Sequence, residues 1–375
     1  MKAMLSGTAF KRFLSGVLVL FACTVALRSP SAAQQDAPPQ SFKAFPAPDI
    51  ILRDAKHKET KSGVQLQGGQ LTITPGVGTP TTINALSFSA DGNILAAGKD
   101  FGRVVIWNTT EKKFLRALET GQGIVDAVAV SPDGKMVATG GRGGEFSVKI
   151  WDVATGQVLK ELGNGNSSIT ALVYEATGRS LIVRYNAGLL RVFTVATWEP
   201  ALTIENLRAA SLSQDGKTLL TADDQEISTW DCSTWSKIHN GPIWKDFPLV
   251  LAASTNDDKL AVFQRRTLRI VRGSTAEVIL ERADFFPRNF TWRPEFAQFN
   301  LDGSVLFASV DGRLWVWNLK RDQTCASPEM YSSAGVLSSN GRWFAGSKGD
   351  SILATERTDG VWIWETDHIM SFCSN

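Results

Sequence analysis

The chain has 375 residues, with 39 Lys and Arg, 37 Asp and Glu and three His, so its formal net charge is +2 at neutral pH. This length allows one large repeat domain or two ordinary domains. The near-neutral balance gives no indication of a nucleic-acid partner or of an anionic membrane surface as partner.

Residues 1–33 have the pattern of a signal peptide. Three cations precede a mostly apolar stretch over residues 13–27, and Ser31-Ala32-Ala33 provides the small residues of a cleavage site. The apolar stretch is shorter than the ~20 residues that a membrane span needs. The pattern therefore predicts no membrane span but export, to the periplasm or the medium, and we favour a bacterial periplasm.

A lipid anchor at Cys23 is the alternative for this leader. Leu20-Phe21-Ala22-Cys23 resembles a bacterial lipobox, although Phe21 is bulky for its place and apolar residues continue beyond the cysteine. Cleavage is the preferred interpretation. Because the leader holds four cations and no acid, the rest of the chain has 35 Lys and Arg against 37 Asp and Glu, a net charge of −2.

Residues 34–62 are predicted to form a flexible, Pro-rich linker. Four prolines lie between positions 38 and 48, and the segment shows no sustained hydrophobic period. A spacer or a docking peptide is the functional alternative. The remaining residues, 63–375, have the pattern of one β domain.

The β pattern begins with a hairpin and continues as short apolar strands joined by tight turns. Val64–Gln67 and Gln70–Thr74 flank Gly68-Gly69, a pair suited to a two-residue turn. Later turns contain Asp-Gly or Asn-Gly, as in Ser131-Pro132-Asp133-Gly134. Such pairs supply the positive φ that tight antiparallel connections require.

One element recurs at an almost constant interval along these strands. An aliphatic residue is followed by Trp, or by its replacement, and then by a polar residue. Successive anchors are separated by 44, 42, 37, 41, 46 and 47 residues. This period is typical of a four-stranded propeller blade, and seven anchors predict seven blades. The anchors are Trp107, Trp151, Phe193, Trp230, Val271, Trp317 and Trp364.

A second repeat supports the register of the first. A threonine lies four residues after the anchor in four consecutive repeats, at Thr155, Thr197, Thr234 and Thr275. We expect these residues in the turn from the third to the fourth strand of each blade, where the hydroxyl can bond a nearby backbone group.

The sequence resembles the WD-repeat family of β-propellers over about residues 64–370. The most specific matches are Ser131–Lys135 with Ile150-Trp151-Asp152, and Asp311-Gly312-Arg313 with Val316-Trp317. The resemblance implies an all-β fold, a seven-bladed propeller of four-stranded antiparallel blades. The chain lacks the family's Gly-His pairs, because none of its three histidines follows a glycine. The hydrogen-bonded network built on that histidine is therefore expected to be largely absent.

The ring must close by sharing one blade between two parts of the chain. As in the family, the N-terminal side is expected to supply the outer strand of the last blade, from residues 64–74. The tail, Ile369–Cys373, is the alternative donor. No helix of useful length is predicted after the leader.

The sequence offers no set of catalytic or metal-binding residues. No pair of Cys or His has zinc spacing, no Gly-x-Ser-x-Gly motif occurs, and Asp223-Asp224 is best interpreted as a turn. We therefore predict a protein that is not an enzyme and holds no cofactor or metal.

Cys232, Cys325 and Cys373 remain after cleavage. Either Cys325 and Cys373 form one disulfide, or all three thiols are unpaired and partly buried.

Candidate partner-binding residues lie in loops around the fifth blade. Aromatic and Arg side chains of this kind are enriched in binding hot spots. The alternative is that the aromatic residues fill the joints between imperfect blades. The set comprises Trp244, Lys245, Phe247, Arg265, Arg266, Phe285, Phe286, Arg288, Trp292 and Arg293.

Two further candidates lie in turns on the opposite face. Trp198 and Trp235 each follow the shared threonine, and an exposed Trp in such a turn would indicate a partner. The alternative, which we prefer, is that each ring folds back onto its blade. The last repeat also carries a long insertion, Lys348–Asp359, over the face of the fifth-blade loops.

These features lead to two hypotheses of function. The first is an exported, non-enzymatic scaffold that binds other proteins, as the resemblance implies. The second is a propeller enzyme or small-ligand binder, such as a lactonase-like hydrolase or an oxidoreductase with a quinone cofactor. The second hypothesis predicts acids, His or Arg around the central channel.

Overall fold

The structure is a computed structural model, and the residues that it describes belong to the compact unit Lys43–Asn375. The described ranges are 50–52, 63–67, 70–74, 82–143, 146–163, 167–224, 226–240, 250–254, 258–264, 267–273, 275, 277–283, 296–310, 313–327, 334–347 and 361–374.

The described residues form thirty strands and one α-helix. In chain order they are β1 (Ile50–Leu52), β2 (Gly63–Gln67), β3 (Gln70–Thr74), β4 (Ile83–Phe88), β5 (Ile94–Lys99), β6 (Arg103–Asn108), β7 (Lys113–Glu119), β8 (Ile124–Val130), β9 (Met136–Arg142), β10 (Val148–Asp152), β11 (Val158–Leu162), β12 (Ile169–Tyr174), β13 (Ser180–Tyr185), β14 (Leu190–Thr194), β15 (Glu199–Ile204), β16 (Ala209–Leu212), β17 (Thr218–Ala222), β18 (Ile227–Asp231), β19 (Ser236–Asn240), β20 (Val250–Ala253), β21 (Lys259–Gln264), β22 (Thr267–Arg272), β23 (Val278–Arg282), β24 (Phe296–Phe299), β25 (Val305–Val310), β26 (Arg313–Asn318), β27 (Gln323–Ala326), β28 (Gly335–Leu337), β29 (Trp343–Ser347), β30 (Val361–Glu365) and α1 (Thr366–Ser374).

The strands build a seven-bladed propeller of four-stranded antiparallel sheets, as predicted. Blades 1 to 6 each take four consecutive strands, from β4–β7 for blade 1 to β24–β27 for blade 6. Blade 7 contains β28, β29 and β30 from the end of the chain, with β1 as its outer strand. The inner strands β28 and β4 are in contact, so the last blade meets the first.

Every anchor residue lies in the third strand of its blade, which confirms the repeat assignment. Trp107, Trp317 and Trp364 are almost fully buried, and so is Val271, where the Trp has been replaced. The threonine prediction is also confirmed. In all four turns the hydroxyl oxygen accepts the N–H two residues further on, at 3.3 Å.

The core of the propeller is divided among the joints between blades. Buried side chains form seven separate clusters, and each cluster combines residues from two neighbouring blades. In the joint between blades 1 and 2, for example, Ile106 packs with Val128 and Trp151. A blade has an apolar surface on both sides, so it is stable only between two neighbours.

The closing strand comes from the N-terminal side, but not from residues 64–74, and that prediction was wrong. Ile50, Ile51 and Leu52 pair with Ile363, Trp362 and Val361 of β30. This strand lies inside the segment that was assigned to the linker. The hairpin β2–β3 pairs with no blade strand among the described residues. Its two strands pair with each other, whereas β1 has no partner close in sequence among the described residues.

The tail forms a helix and not a strand, so the prediction of no helix after the leader was also wrong. The outer edge of β30 is occupied by β1, which leaves no edge for the tail to join. Instead α1 buries Ile369 in the core between blades 6 and 7. The described residues include no helix long and apolar enough to cross a membrane.

The helix is also attached covalently to blade 6. Cys373 of α1 and Cys325 of β27 form a disulfide with a Cα–Cα distance of 5.6 Å. Of the two alternatives for the cysteines, the structure has the single bridge. Cys232 is a buried free thiol, and burial together with nearby carboxylates raises its pKa to about 12.

The turns between first and second strands repeat one hydrogen-bonded unit. In blade 2 the Ser131 hydroxyl donates to Asp133 at 2.7 Å and accepts the N–H of Met136 at 2.9 Å. Gly134 follows with φ +72°, as the Asp-Gly pair predicts. Blades 1, 4 and 7 repeat the arrangement with Ser89, Ser213 and Ser338.

Closure by β1 can be tested with two leucine substitutions. Leu52→Ala should lower the free energy of unfolding by about 2–4 kcal/mol, because it removes a buried side chain from the joint between blades 7 and 1. Leu66→Ala, on the hairpin that pairs with no blade strand among the described residues, should cost less than about 1 kcal/mol. Urea unfolding measures both. A larger loss for Leu66→Ala would mean that the hairpin closes the ring.

The turn between β24 and β25 of blade 6, which contains Asp302, should make the free energy of unfolding depend on pH in the acid range. Partial burial opposes ionisation of Asp302, but hydrogen bonds from the Ser304 hydroxyl and N–H outweigh it and lower its pKa to about 2. The ordinary value is 3.8, so the charged group stabilises the fold above pH 3.8 and this stability is lost as the pH falls towards 2.

Asp302→Asn should therefore reduce stability at pH 7 by about 1 kcal/mol, a figure that allows for solvent screening of an exposed carboxylate. The difference from the unmodified protein should disappear near pH 2. Urea midpoints measured between pH 2 and pH 7 test this expectation, and a constant difference across that range would contradict it.

Candidate interaction faces and central channel

The antiparallel order of the strands gives the propeller two different faces. Turns between first and second strands and between third and fourth strands lie on one side, which we call the turn face. Turns between second and third strands, and the connections from one blade to the next, lie on the other side, which we call the loop face. The innermost strands of the seven blades line the channel between these faces.

Trp198 and Trp235 lie at equivalent positions on the turn face and are both half-buried. Trp198 packs against the core between blades 2 and 3, and Trp235 packs against the core between blades 3 and 4. The indole N–H of Trp235 donates to the hydroxyl of Ser180 in blade 3 at 3.2 Å. Both rings therefore contribute to joints, and part of each ring remains accessible to a partner.

Both tryptophans adopt a backbone conformation that is unfavourable for a bulky side chain. Their φ angles are +60° and +56°. Gly156 occupies the same position in blade 2 with φ +73°, and Lys112 occupies it in blade 1 with φ +54°.

The predicted patch around the fifth blade lies outside the described residues. Its residues are Trp244, Lys245, Phe247, Arg265, Arg266, Phe285, Phe286, Arg288, Trp292 and Arg293, and the blade 7 insertion at 348–359 lies outside as well. The flanking strands show only that Arg265 and Arg266 connect β21 to β22. The other two segments connect β19 to β20 and β23 to β24.

The structure reveals a second aromatic site on the loop face that the sequence analysis missed. Phe101, in the turn between β5 and β6, is 51% exposed, and Phe146, in the equivalent connection of blade 2, is 37% exposed. Phe101 has φ +60°, so its exposed ring is held by a strained backbone. A single Phe in a turn gives no periodic signal, and only the tertiary structure shows that these rings are exposed.

The connection from blade 1 to blade 2 joins these two aromatic positions. The N–H and hydroxyl of Thr120 both donate to the carbonyl of Gly102, at 2.7 and 2.8 Å. The side-chain amide of Gln122 donates to the carbonyl of Ser147 at 2.5 Å. Phe101 precedes Gly102 and Phe146 precedes Ser147, so the two rings border one continuous, hydrogen-bonded segment.

Charged groups surround this segment in close pairs. Arg142 lies 3.4 Å from Asp126, and Arg103 lies 3.9 Å from Glu119. Burial raises the pKa of Asp126, and the neighbouring Asp100 adds to this effect while Arg142 opposes it. The site thus combines exposed aromatic rings with Arg side chains.

The central channel contains two adjoining cavities. The cavity at the turn face has a volume of about 420 Å³ and is bordered by Tyr174, Glu175 and Gln214. The Gln214 amide crosses the channel from blade 4 and donates to the carbonyl of Ser338 in blade 7 at 2.7 Å. The cavity at the loop face has a volume of about 410 Å³ and includes Arg184 in its wall.

The channel acids have structural roles where they are described. The carboxylate of Glu175 accepts hydrogen bonds from Thr177, Arg179 and Ser180 in its own turn. Across the described ranges, no three His, Cys, Asp or Glu side chains converge in a way that could hold a metal ion.

Comparison with known proteins agrees with this architecture. The family model described as "WD domain, G-beta repeat" matches residues 112–152, which run from the turn before β7 to the end of β10. Together with the seven four-stranded blades, this match supports the WD-repeat family. The fold is a seven-bladed β-propeller of the WD-repeat type.

Several curated WD-repeat relatives match part of the chain. Small ribosomal subunit protein RACK1y of Oryza sativa subsp. japonica is 31% identical over 121 residues, which cover 30% of this chain and 35% of that protein. Eukaryotic translation initiation factor 3 subunit I of Lodderomyces elongisporus is 24% identical over 163 residues, 43% of this chain and 44% of that protein. The chain thus spans less than half the length of these relatives.

Part of the hydrogen-bonded network expected in WD repeats is present here without its histidine. The indole N–H of Trp151 donates to the Thr139 hydroxyl at 2.9 Å, and Trp230 makes the same bond to Thr221. In both blades the bond joins the third strand to the second. The propeller therefore keeps the Trp–Thr part of the network in blades 2 and 4.

The strained position on the turn face can be tested in the blades that lack the Trp. Gly156→Ala should lower the free energy of unfolding by about 1–2 kcal/mol, because a Cβ is unfavourable at this φ and would lie 2.7 Å from Arg116. Lys112→Gly should raise it by up to about 1 kcal/mol, because the exposed Lys loses the same strain. Urea unfolding measures both changes. Effects of the same sign would contradict the interpretation that Gly156 and Lys112 occupy equivalent positions with a left-handed backbone conformation.

Proposed function

We propose that this WD-repeat propeller is an exported, non-enzymatic scaffold that binds another protein through its loop face. The observation that carries the proposal is the pair of exposed rings, Phe101 and Phe146, beside a hydrogen-bonded segment. Exposed aromatic side chains that remain fixed lose little conformational entropy on binding, which favours their use as anchors.

The neighbouring chemistry supports an interface on this face. Arg103 and Arg142 lie beside the aromatic site, and the sequence predicts an aromatic and basic patch around blade 5 on the same face. A ring can thus present two separate sites to one large partner or to two partners. The relatives are named as a protein of the small ribosomal subunit and as a subunit of an initiation factor, which supports binding to other proteins as the role of this propeller.

Export is supported by the leader pattern of residues 1–33 and by the disulfide between Cys325 and Cys373. Disulfides persist in oxidising compartments such as the bacterial periplasm. N-terminal sequencing of the protein from its native host should give a chain that starts at Gln34. A chain that keeps Met1 would contradict export by this route.

Partner binding is tested by affinity capture from the native envelope. The Phe101→Ala/Phe146→Ala variant should lose the protein that the unmodified propeller retains, because it removes the apolar anchors of the loop face. Leu115→Ala/Leu159→Ala is the matched control, since these leucines are 40% and 53% exposed but lie on outer strands. Their removal should leave recovery of the partner unchanged.

The same capture separates the two sites of the loop face. Loss of the partner with an Arg265→Ala/Arg266→Ala/Trp292→Ala variant would place the blade 5 patch in the interface. Unchanged recovery of the partner would exclude the patch from the interface. Loss with the outer-strand control, and not with the Phe101/Phe146 variant, would overturn binding through the loop face. A stoichiometric metal or chromophore in the purified protein would overturn the non-enzymatic role.

A further inference from the structure

The joint between blades 3 and 4 differs from the other six joints at the centre of the ring. Elsewhere the inner strands of neighbouring blades lie in contact, but β12 and β16 make little contact with each other. As a result Thr170, Ala171 and Val173 of β12 are exposed, and Val173 is 37% exposed although it is an apolar residue at the centre of the propeller.

The joint is nevertheless held together at both faces. On the turn face, Trp235 of blade 4 is bonded to Ser180 of blade 3. Towards the loop face, the Arg184 guanidinium of blade 3 donates to the carbonyl of Arg208, just before blade 4, at 2.8 Å. The gap between β12 and β16 is therefore a bounded cavity and not a loose joint.

The cavity at this gap has a volume of about 410 Å³ and a mixed wall. Val173, Leu212 and Val336 provide an apolar surface, while Thr170, Ser211 and Gln298 provide neutral polar groups. Among the described residues of the wall, Arg184 carries the one charge, and there is no Asp or Glu. Pockets of a few hundred Å³ with an apolar wall and few polar groups are typical of small-molecule sites.

The positive charge of Arg184 is not balanced by an anion in the described wall of the cavity. Its Nε is buried without a hydrogen-bond acceptor among the described residues, and its guanidinium is half-buried. Burial lowers the pKa of this group, with no carboxylate nearby to offset the effect. A buried cation is unfavourable unless an anion pairs with it. Nothing in the described wall supplies that anion.

We propose that this cavity binds a small organic anion, with a carboxylate on the Arg184 guanidinium and an apolar body against Val173, Leu212 and Val336. A carboxylate would supply the missing anion and accept a charge-assisted hydrogen bond from the guanidinium. The apolar body would cover the exposed side chains of the gap. This site is separate from the aromatic site on blades 1 and 2, so the propeller would bind a ligand and a protein in different places.

The test uses two fluorescent probes of the same shape, 2-naphthoate and its neutral counterpart 2-naphthamide. The unmodified protein should bind naphthoate at least about tenfold more tightly than naphthamide, which corresponds to one charge-assisted hydrogen bond. Arg184→Gln should remove this difference and leave naphthamide binding unchanged. Arg184→Lys, which keeps the charge, should retain part of it. Titration calorimetry measures the affinity of each of the three proteins for each probe.

Two further variants keep the test independent of folding effects. Arg191→Gln is the matched control, because Arg191 lies on the next strand over the ring of Tyr185 and is not in the cavity wall. It should bind both probes as the unmodified protein does. Val173→Trp places a larger side chain in the cavity and should abolish binding of both probes, with thermal unfolding as the check that the variants fold.

Several results would overturn the proposal. Equal affinity of the unmodified protein for the two probes would remove the role of charge. Equal naphthoate binding by the unmodified protein and Arg184→Gln would show that Arg184 does not bind the carboxylate. Binding that survives Val173→Trp would place the ligand elsewhere, and absence of binding by either probe at millimolar concentration would refute the site.

Discussion

The structure depends on one constraint. Each blade has an apolar surface on both sides of its sheet and must pack against a neighbouring blade on each side. The hydrophobic core is therefore not a single centre but seven separate joints, and the ring is complete only when blade 7 meets blade 1. That last contact uses Leu52 of β1 together with Val361 and Ile363 of β30. A strand of three residues thus connects the two ends of the domain. The helix α1 and its disulfide to blade 6 secure the neighbouring joint.

Local hydrogen bonding makes the repeat rigid and leaves other positions free to vary. The Ser–Asp unit of the turn face and the threonine turns satisfy backbone groups within a few residues, so a blade can keep its shape when its Trp is replaced. Among the described residues, the connections of the loop face differ in length and composition from blade to blade. This difference allows Phe101 and Phe146 to project beside the blade 1–blade 2 connection.

The joint between blades 3 and 4 shows how an irregular repeat can create a site. Trp235 and Arg184 hold the joint at its two faces, while β12 and β16 separate between them. The separation exposes Val173 and leaves the Arg184 guanidinium in a cavity whose described wall holds no carboxylate. In a regular ring the inner strands would fill this space. The two proposed roles therefore arise at different places, the loop face of blades 1 and 2 and the channel side of blades 3 and 4.

The sequence by itself determined the number of blades, the third-strand position of each anchor and the type of turn. These features depend on contacts within about 45 residues, and they recur, so even a degraded copy such as Val271 keeps its place. Only the tertiary structure decided which segment closes the ring, because Ile50–Leu52 is too short to show a period. The segment with the stronger β pattern, 63–74, forms two strands that pair with each other. The same holds for the tail, which forms a helix because β1 already occupies the edge of β30. Exposure of Phe101 and the isolation of Arg184 were also beyond the sequence. Both depend on how distant strands are spaced around the ring, and no local pattern of residues records that spacing.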